Sequence, residues 1–167
     1  YEPFIRRAAG LGRLANAYDN DLYEKAFAHC DVLVIGAGPS GLMAALTAAR
    51  AGLDVILADE NDRLGGRLLS EVEAVAGVAG HVWAETIFTE LVGLANVQVM
   101  TNTTVTGAYD QGTYGALERV GHHLDVLPVG LPLETFWRIT AKRAILCAGA
   151  LERQVAFPDN DRPGIMT

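Results

Sequence analysis

Three glycines and one acid form the clearest chemical pattern in the chain. Gly36, Gly38 and Gly41 have GxGxxG spacing, and Asp59 lies 18 residues beyond the last of them. Glycines at these places allow a sharp turn, close approach of a ligand to the backbone, and close packing of a helix. An anion there would lie at a helix N-terminus, which favours negative charge. Because Asp59 has the spacing of a ribose-binding acid, the pattern predicts a site for a dinucleotide.

The elements that must position these residues lie on both sides of the glycines. Residues 32–35 are apolar and mostly β-branched and predict a first strand, and residues 40–51 predict a helix directly after the turn. Pro39 and Ser40 begin that helix, so we expect them to contribute to phosphate binding. Residues 54–58 predict a second, buried strand that ends at the acid.

Two adjacent acids at the end of the second predicted strand bear on the choice of cofactor. A carboxylate at Asp59 can accept hydrogen bonds from both ribose hydroxyls, and Glu60 adds a second negative charge. A 2′-phosphate would be repelled, so NAD or FAD is favoured over NADP. The alternative is that Asp59 only caps the loop that follows.

The remaining segments predict an α/β fold of the Rossmann-like FAD/NAD(P)-binding type. We expect a lead-in over residues 1–30 and a C-terminally truncated dinucleotide-binding domain over residues 31–167. A parallel sheet is combined with a three-stranded antiparallel meander. The predicted elements are a short helix at 21–29, a helix at 82–94, a parallel strand at 97–100, meander strands at 104–109, 114–120 and 136–141, a loop at 121–134 and a buried strand at 144–147.

Composition excludes several classes of function. The chain has 167 residues, 50% of them hydrophobic, and a net charge of −7 without a basic stripe, which argues against nucleic-acid binding. Cys30 and Cys147 lie far apart, so a reducing, cytoplasmic setting is expected rather than a disulfide framework. The histidines His81, His122 and His123 lack ligand partners at metal-binding spacing, so no metal site is predicted. The ends of the chain suggest a piece of a longer polypeptide.

Two further motifs resemble the flavoprotein family with two dinucleotide-binding domains. The run RLGGR at residues 63–67 follows the acid, and ILCAG at residues 145–149 resembles a strand end that passes close to the dinucleotide. The resemblance implies contacts from Gly66, Arg67, Val105 and the Ala148–Gly149 backbone. Arg63 and Arg67 could offset phosphate charge or could belong to a solvated basic turn. Cys147 suggests a redox role, but a small, buried and inert cysteine is the expectation.

Longer runs resemble the alpha-subunit family of heterotetrameric sarcosine oxidases. The resemblance extends less completely to alpha subunits of opine, hydroxyproline and cyanide-forming enzymes. Two of these runs, residues 149–153 and 157–166, are far more specific than the glycine pattern. The runs are residues 1–12 (YEPFIRRAAGLG), 30–36 (CDVLVIG), 116–120 (ALERV), 136–143 (FWRITAKR), 149–153 (GALER) and 157–166 (FPDNDRPGIM).

This resemblance implies a cofactor-holding module of an oxidoreductase complex with beta, gamma and delta subunits. The whole enzyme would demethylate sarcosine to glycine with tetrahydrofolate and oxygen. NAD would bind in this module, with FAD as the alternative, and the amine-oxidising residues would lie elsewhere. The fragment would therefore be inactive alone and hold no catalytic residue. The alternatives are a related amine or amino-acid dehydrogenase and a non-catalytic interaction domain.

Overall fold

A six-stranded sheet flanked by helices organises the part of the chain that the computed structural model describes, residues 1–10, 18–149, 157–158 and 162. Two very short strands form a separate hairpin. The elements are α1 (Glu2–Ala8), β1 (Tyr23–Ile35), α2 (Pro39–Arg50), β2 (Val55–Ala58), β3 (Ala74–Val75), β4 (Val78–Ala79), α3 (Gly80–Val92), β5 (Val97–Met100), β6 (Thr103–Tyr109), β7 (Thr113–Arg119) and β8 (Glu134–Leu146). Short 3-10 turns lie at Gly66–Leu69 and Asp110–Gly112.

Four parallel strands form the half of the sheet that carries the glycine turn. Their spatial order is β5-β2-β1-β8, and β1 pairs in parallel with both β2 and β8. Helices α2 and α3 connect β1 to β2 and β2 to β5. The predicted strand–turn–helix–strand unit and the third parallel strand are therefore confirmed within a residue or two of their expected bounds, except that β1 begins nine residues before the predicted start at residue 32.

The antiparallel meander is also confirmed, with one correction. Strands β6, β7 and β8 pair in antiparallel order, and the turn at Asp110–Gly112 joins the first two. We predicted the third meander strand and the strand at 144–147 as separate elements. They are one continuous strand, β8, because its first part pairs with β7 while its whole length pairs with β1.

The prediction of a helix at residues 21–29 is wrong. These residues include good helix formers, yet from Tyr23 onward they form the first part of β1. Their partners are residues 134–140 of β8, more than a hundred positions away in sequence, so pairing across the sheet overrides local preference. Residues 23–30 thus lie in the sheet itself, upstream of residue 31, where we placed the start of the domain.

Two apolar cores cover the two faces of the parallel sheet. Val32 and Val34 pack under α2 and α3, whereas Ala28, Cys30 and Leu33 pack on the opposite side with the meander. The change of face along β1 occurs at a β-bulge, where the N–H groups of residues 31 and 32 both donate to the carbonyl of residue 54, at 2.8 and 3.0 Å. The bulge lets one long strand serve both cores.

Among the helices described, none combines the length and the apolar character needed to cross a bilayer.

Candidate functional site

The glycine turn is held by contacts between backbone atoms. Gly36 directly follows β1 and has a φ of +96°, and a Cβ there would lie 2.5 Å from the carbonyl oxygen of Cys147. A Cβ on Gly41 would lie 1.8 Å from the carbonyl oxygen of Gly36. Both places therefore require glycine, the first for its left-handed conformation and both for space.

Gly38 differs from its two neighbours in the pattern because it faces open space. It is the N-cap of α2, with a φ of −67°, and a Cβ there would meet nothing within 4 Å. No side chain caps this helix, and Pro39 has no N–H, so the N–H groups of Ser40 and Gly41 are left without helical partners. This is the open, electropositive backbone that an anion requires.

The Asp59 carboxylate is the centre of a buried hydrogen-bond network. Its Oδ2 accepts a bond of 2.6 Å from the N–H of Ala37, and its Oδ1 accepts bonds of 2.9 and 3.0 Å from the N–H and side-chain amide of Asn61. The Asp59 carbonyl accepts a further bond of 2.7 Å from the N–H of Thr103. The acid therefore joins the glycine turn, the loop after β2 and the start of β6.

The second glycine pair folds back onto the first. The N–H of Gly65 donates to the carbonyl of Ala37 at 2.9 Å, and Gly66 has a φ of +53°. A Cβ on Gly66 would lie 3.1 Å from the Cα of Gly38. Ala37, which is fully buried, is thus bonded through its N–H to Asp59 and through its carbonyl to Gly65. The run RLGGR and the glycine turn form one unit.

A cleft of about 290 Å³ opens where these elements meet, at the carboxyl ends of β1, β2 and β8. This is where ligands bind in open parallel sheets. Its lining includes most of the residues predicted from sequence. The lining residues are Ile35, Gly36, Gly38, Ala58, Asp59, Glu60, Asn61, Gly66, Thr103, Thr104, Val105, Cys147 and Ala148.

Five of the predicted site residues lie beside this lining rather than in it. Pro39 and Ser40 are exposed at the start of α2, and Gly41 is buried against Gly36. Arg67 is exposed and forms an ion pair of 2.7 Å with Glu71, an arrangement consistent with a solvated basic turn. Gly149 is exposed, with a φ of +75° and open space around it.

Sequence reasoning missed three polar residues of the lining, Asn61, Thr103 and Thr104. Asn61 could have been predicted from sequence, because it is a polar residue two places beyond Asp59 at the carboxyl end of a buried strand. The two threonines have no such signal in their own sequence pattern, although the resemblance implied a contact from their neighbour Val105. They reach the cleft because the N–H of Asn102 bonds to the carbonyl of Asn61 at 3.0 Å.

A larger groove, of about 560 Å³, lies on the meander and is lined by residues including Tyr109, Phe136 and Arg138. None of the glycine-turn residues contributes to it. The smaller cleft combines two glycines of the turn with two acids and lies beside the open N–H groups of Ser40 and Gly41, so we take it as the candidate site. Within the described ranges, no group of three or more His, Cys, Asp or Glu side chains is placed to hold a metal ion.

Comparison with known proteins assigns the fold to a class. A family model described as FAD dependent oxidoreductase matches residues 31–93. The structure of L-proline dehydrogenase from P. horikoshii aligns with a TM-score of 0.64 at 24% identity, covering 89% of this chain and 28% of that one. Thioredoxin reductase from Streptococcus pyogenes MGAS5005 aligns at 0.54 and 25% identity, covering 80% and 40%. The chain has the Rossmann-like fold of FAD-dependent oxidoreductases.

Comparison by sequence finds relatives that match nearly the whole chain. The sarcosine oxidase alpha subunit of Rhizobium meliloti (strain 1021) is 52% identical over 99% of this chain, and that of Corynebacterium sp. (strain P-1) is 40% identical over 94%. An opine oxidase subunit of Agrobacterium tumefaciens (strain Ach5) is 31% identical over 82%. The chain is similar in sequence to sarcosine oxidase alpha subunits, and it spans 17% and 16% of the length of the two named here. Of the runs that suggested this resemblance, residues 11–12, 150–153, 159–161 and 163–166 lie outside the described part of the structure.

Proposed function

We propose that this chain is a dinucleotide-binding module and that its cleft holds the adenosine diphosphate part of the cofactor. One observation supports this proposal most strongly. Gly38, which faces open space at the N-terminus of α2, lies in the same cleft as Asp59 and Glu60. The first supplies backbone donors for a pyrophosphate, and the second supplies acceptors for ribose. A cofactor bound there would supply hydride transfer.

The size of the cleft supports binding of one half of a dinucleotide. Its volume of about 290 Å³ lies at the lower limit of ligand pockets, which measure about 300–1,000 Å³. Gly36, Gly38 and Gly66 would surround the pyrophosphate, and the N–H groups of Ser40 and Gly41 would face it. Val105 and Ala148 would contact the nucleoside through backbone and apolar atoms.

We propose NAD as the cofactor, because two carboxylates at the end of β2 repel a 2′-phosphate and because the resemblance to sarcosine oxidase alpha subunits implies NAD. FAD is the second candidate, favoured by the match of residues 31–93 to FAD dependent oxidoreductases. Both contain an adenosine diphosphate unit, so the same cleft serves either one.

Thermal unfolding with each cofactor tests this proposal. A ligand that binds only the folded chain raises the melting temperature in a concentration-dependent way. We expect NAD to raise it and NADP not to. A yellow protein, or stabilisation by FAD alone, would instead assign the site to FAD. If neither NAD nor FAD changes the melting temperature, the proposed function is wrong for this chain.

At the level of the whole enzyme, we propose that the module belongs to the alpha chain of a sarcosine-oxidising complex with beta, gamma and delta subunits. The identity of 52% to such a chain over 99% of this one supports this proposal. The full enzyme would oxidise sarcosine to glycine in the cytoplasm, with tetrahydrofolate and oxygen, and this module would hold cofactor rather than react with the amine. Affinity purification of the tagged natural protein tests it: recovery of three smaller subunits and sarcosine-dependent oxygen consumption are expected.

A further inference from the structure

A further cavity, which we call the α3 pocket, lies between the loop after β2 and helix α3. Its volume is about 170 Å³, and it shares no lining residue with the candidate site. Four polar side chains line it: Asp62 and Arg63 from the loop, and His81 and Glu85 from the helix. His81 and Glu85 are four positions apart and therefore lie on one face of α3. Groups that donate hydrogen bonds and groups that accept them thus line one small pocket.

These four side chains are not paired with one another. No hydrogen bond or ion pair joins any of them to another residue that the structure describes. Charges close by in the fold do pair: Arg67 forms an ion pair of 2.7 Å with Glu71, and Glu90 of α3 accepts two bonds of 2.8 Å from Arg50. The α3 pocket therefore differs from its surroundings, because its positive and negative groups are held apart.

The rest of the pocket lining is apolar. Leu64 is only 8% exposed, and Phe88 packs against the same core as Leu64. An apolar surface lowers the local dielectric constant and strengthens the pairing of nearby charges with a ligand. The volume of about 170 Å³ lies well below the range of about 300–1,000 Å³ that suits drug-sized ligands. The pocket therefore suits a molecule of a few non-hydrogen atoms.

We propose that the α3 pocket binds a small α-amino acid in its zwitterionic form. The Arg63 guanidinium and an imidazole N–H of His81 donate to the carboxylate, and the Asp62 and Glu85 carboxylates accept from the ammonium. A zwitterion pairs with both sets of side chains at once, because one carbon atom separates its two charges. A simple anion or a simple amine pairs with one set only. The proposal is independent of the proposed cofactor, because the two sites share no lining residue.

NMR titration of the ¹⁵N-labelled chain with glycine, at constant ionic strength, tests this proposal. Acetate and methylamine are the matched ligands, because each carries one of the two charged groups of glycine. We expect glycine to shift the backbone amide signals of Arg63 and Glu85 saturably, with a Kd in the millimolar range. Acetate and methylamine should each bind about fivefold more weakly or worse. The amide signals of Gly38 and Thr103, which line the candidate site, should not move.

Two variants separate the roles of the charged groups. Arg63→Met removes the guanidinium and Glu85→Gln removes the carboxylate charge, and both residues are exposed, so the fold should be unaffected. We expect each variant to weaken glycine about fivefold. Arg63→Met should not weaken methylamine, and Glu85→Gln should not weaken acetate. Arg7→Met and Glu73→Gln are the matched controls, since both residues are exposed and outside the pocket lining, and neither should change the affinity for glycine.

Several results would overturn the proposal. One is the absence of a saturable glycine shift at Arg63 and Glu85, and another is a shift at Gly38 and Thr103 instead. Binding of methylamine as tightly as glycine would make the pocket a site for cations, and equal binding of acetate would make it a site for anions. An equal loss in Arg63→Met and Arg7→Met would assign the effect to general charge. Failure of NAD and FAD to stabilise the chain would overturn the proposed function and leave the glycine result unaffected, so the two failures are distinguishable.

Discussion

The hydrogen of the Gly41 Cα points almost directly at the carbonyl oxygen of Gly36, because a Cβ in its place would lie 1.8 Å from that oxygen. The first turn of α2 and the end of β1 therefore touch through backbone atoms alone. A Cβ on Gly41 would also lie 3.3 Å from the Cβ of Cys147, at the end of β8. Any side chain at residue 41 must separate the helix from two strands.

Replacing Gly41 by alanine should destabilise the fold strongly. The clash is with backbone, which cannot rotate away as a flexible side chain would, so we expect a loss of about 3 kcal/mol or more in the free energy of unfolding. Urea denaturation followed by circular dichroism measures it. A loss below about 1 kcal/mol would contradict the close approach of α2 to β1.

Replacing Gly38 by alanine should instead separate binding from stability. A Cβ there meets nothing within 4 Å, so stability should change by at most about 1 kcal/mol, the cost of alanine at an N-cap. The methyl group would occupy the space proposed for the pyrophosphate, so we expect the Kd for ADP to rise about tenfold or more. Calorimetric titration measures the affinity, and Gly41→Ala gives the contrasting case. Unchanged affinity would place the pyrophosphate elsewhere.

The glycine turn could be predicted from sequence because the requirement is local. Gly36, Gly38 and Gly41 each occupy a place whose backbone conformation or spacing follows from a strand that turns into a helix. The start of β1 could not be predicted in the same way. Its pairing partner in β8 lies far along the chain, and the residues themselves favour a helix.

The surroundings of Asp59 and Glu60 show a similar limit. Their position at the end of β2 follows from sequence, but the donors that surround Asp59 do not. Ala37, whose N–H donates to the Asp59 carboxylate, is 22 residues away in sequence. Which oxygens of this carboxylate are occupied therefore depends in part on a long-range contact.

The two cysteines should differ sharply in reactivity. Burial raises the pKa of the Cys30 thiol to about 11, with the nearby carboxylates of Asp31 and Asp54 adding to the effect. The thiolate is the reactive form, so Cys30 should remain unreactive near pH 8. Cys147 lines the cleft and is partly exposed.

We therefore expect iodoacetamide at pH 8 to modify Cys147 in the native chain and Cys30 only after denaturation. NAD or ADP should slow the modification of Cys147, because a ligand in the cleft covers it. Peptide mass spectrometry resolves the two sites. Cys147→Ser serves as the control and should leave the native protein unlabelled. Equal labelling of both cysteines would contradict the burial of Cys30.

The ion pair between Asp31 and Lys142 should make a pH-dependent contribution at the bulge of β1. The Lys142 ammonium, and after it the N–H of Asp54, hold the pKa of Asp31 below its usual value. The folded chain therefore favours ionised Asp31 more than the unfolded chain does. This contribution is fully present above the unfolded pKa, about 4, and is lost as the pH falls through the lower, folded pKa.

Replacing Lys142 by methionine should raise the pKa of Asp31 towards its ordinary value. Titration of the Asp31 carboxyl carbon by NMR measures this directly. The difference in unfolding free energy between the original chain and the variant should shrink as the pH falls below about 4. Arg143→Met is the matched control, because Arg143 donates to the Lys142 carbonyl and not to Asp31. If both variants shift the pKa of Asp31 equally, general charge rather than the Lys142 contact sets that pKa. Because both side chains are accessible to solvent, added salt should reduce the shift in either case, and only the difference between the variants identifies the contact.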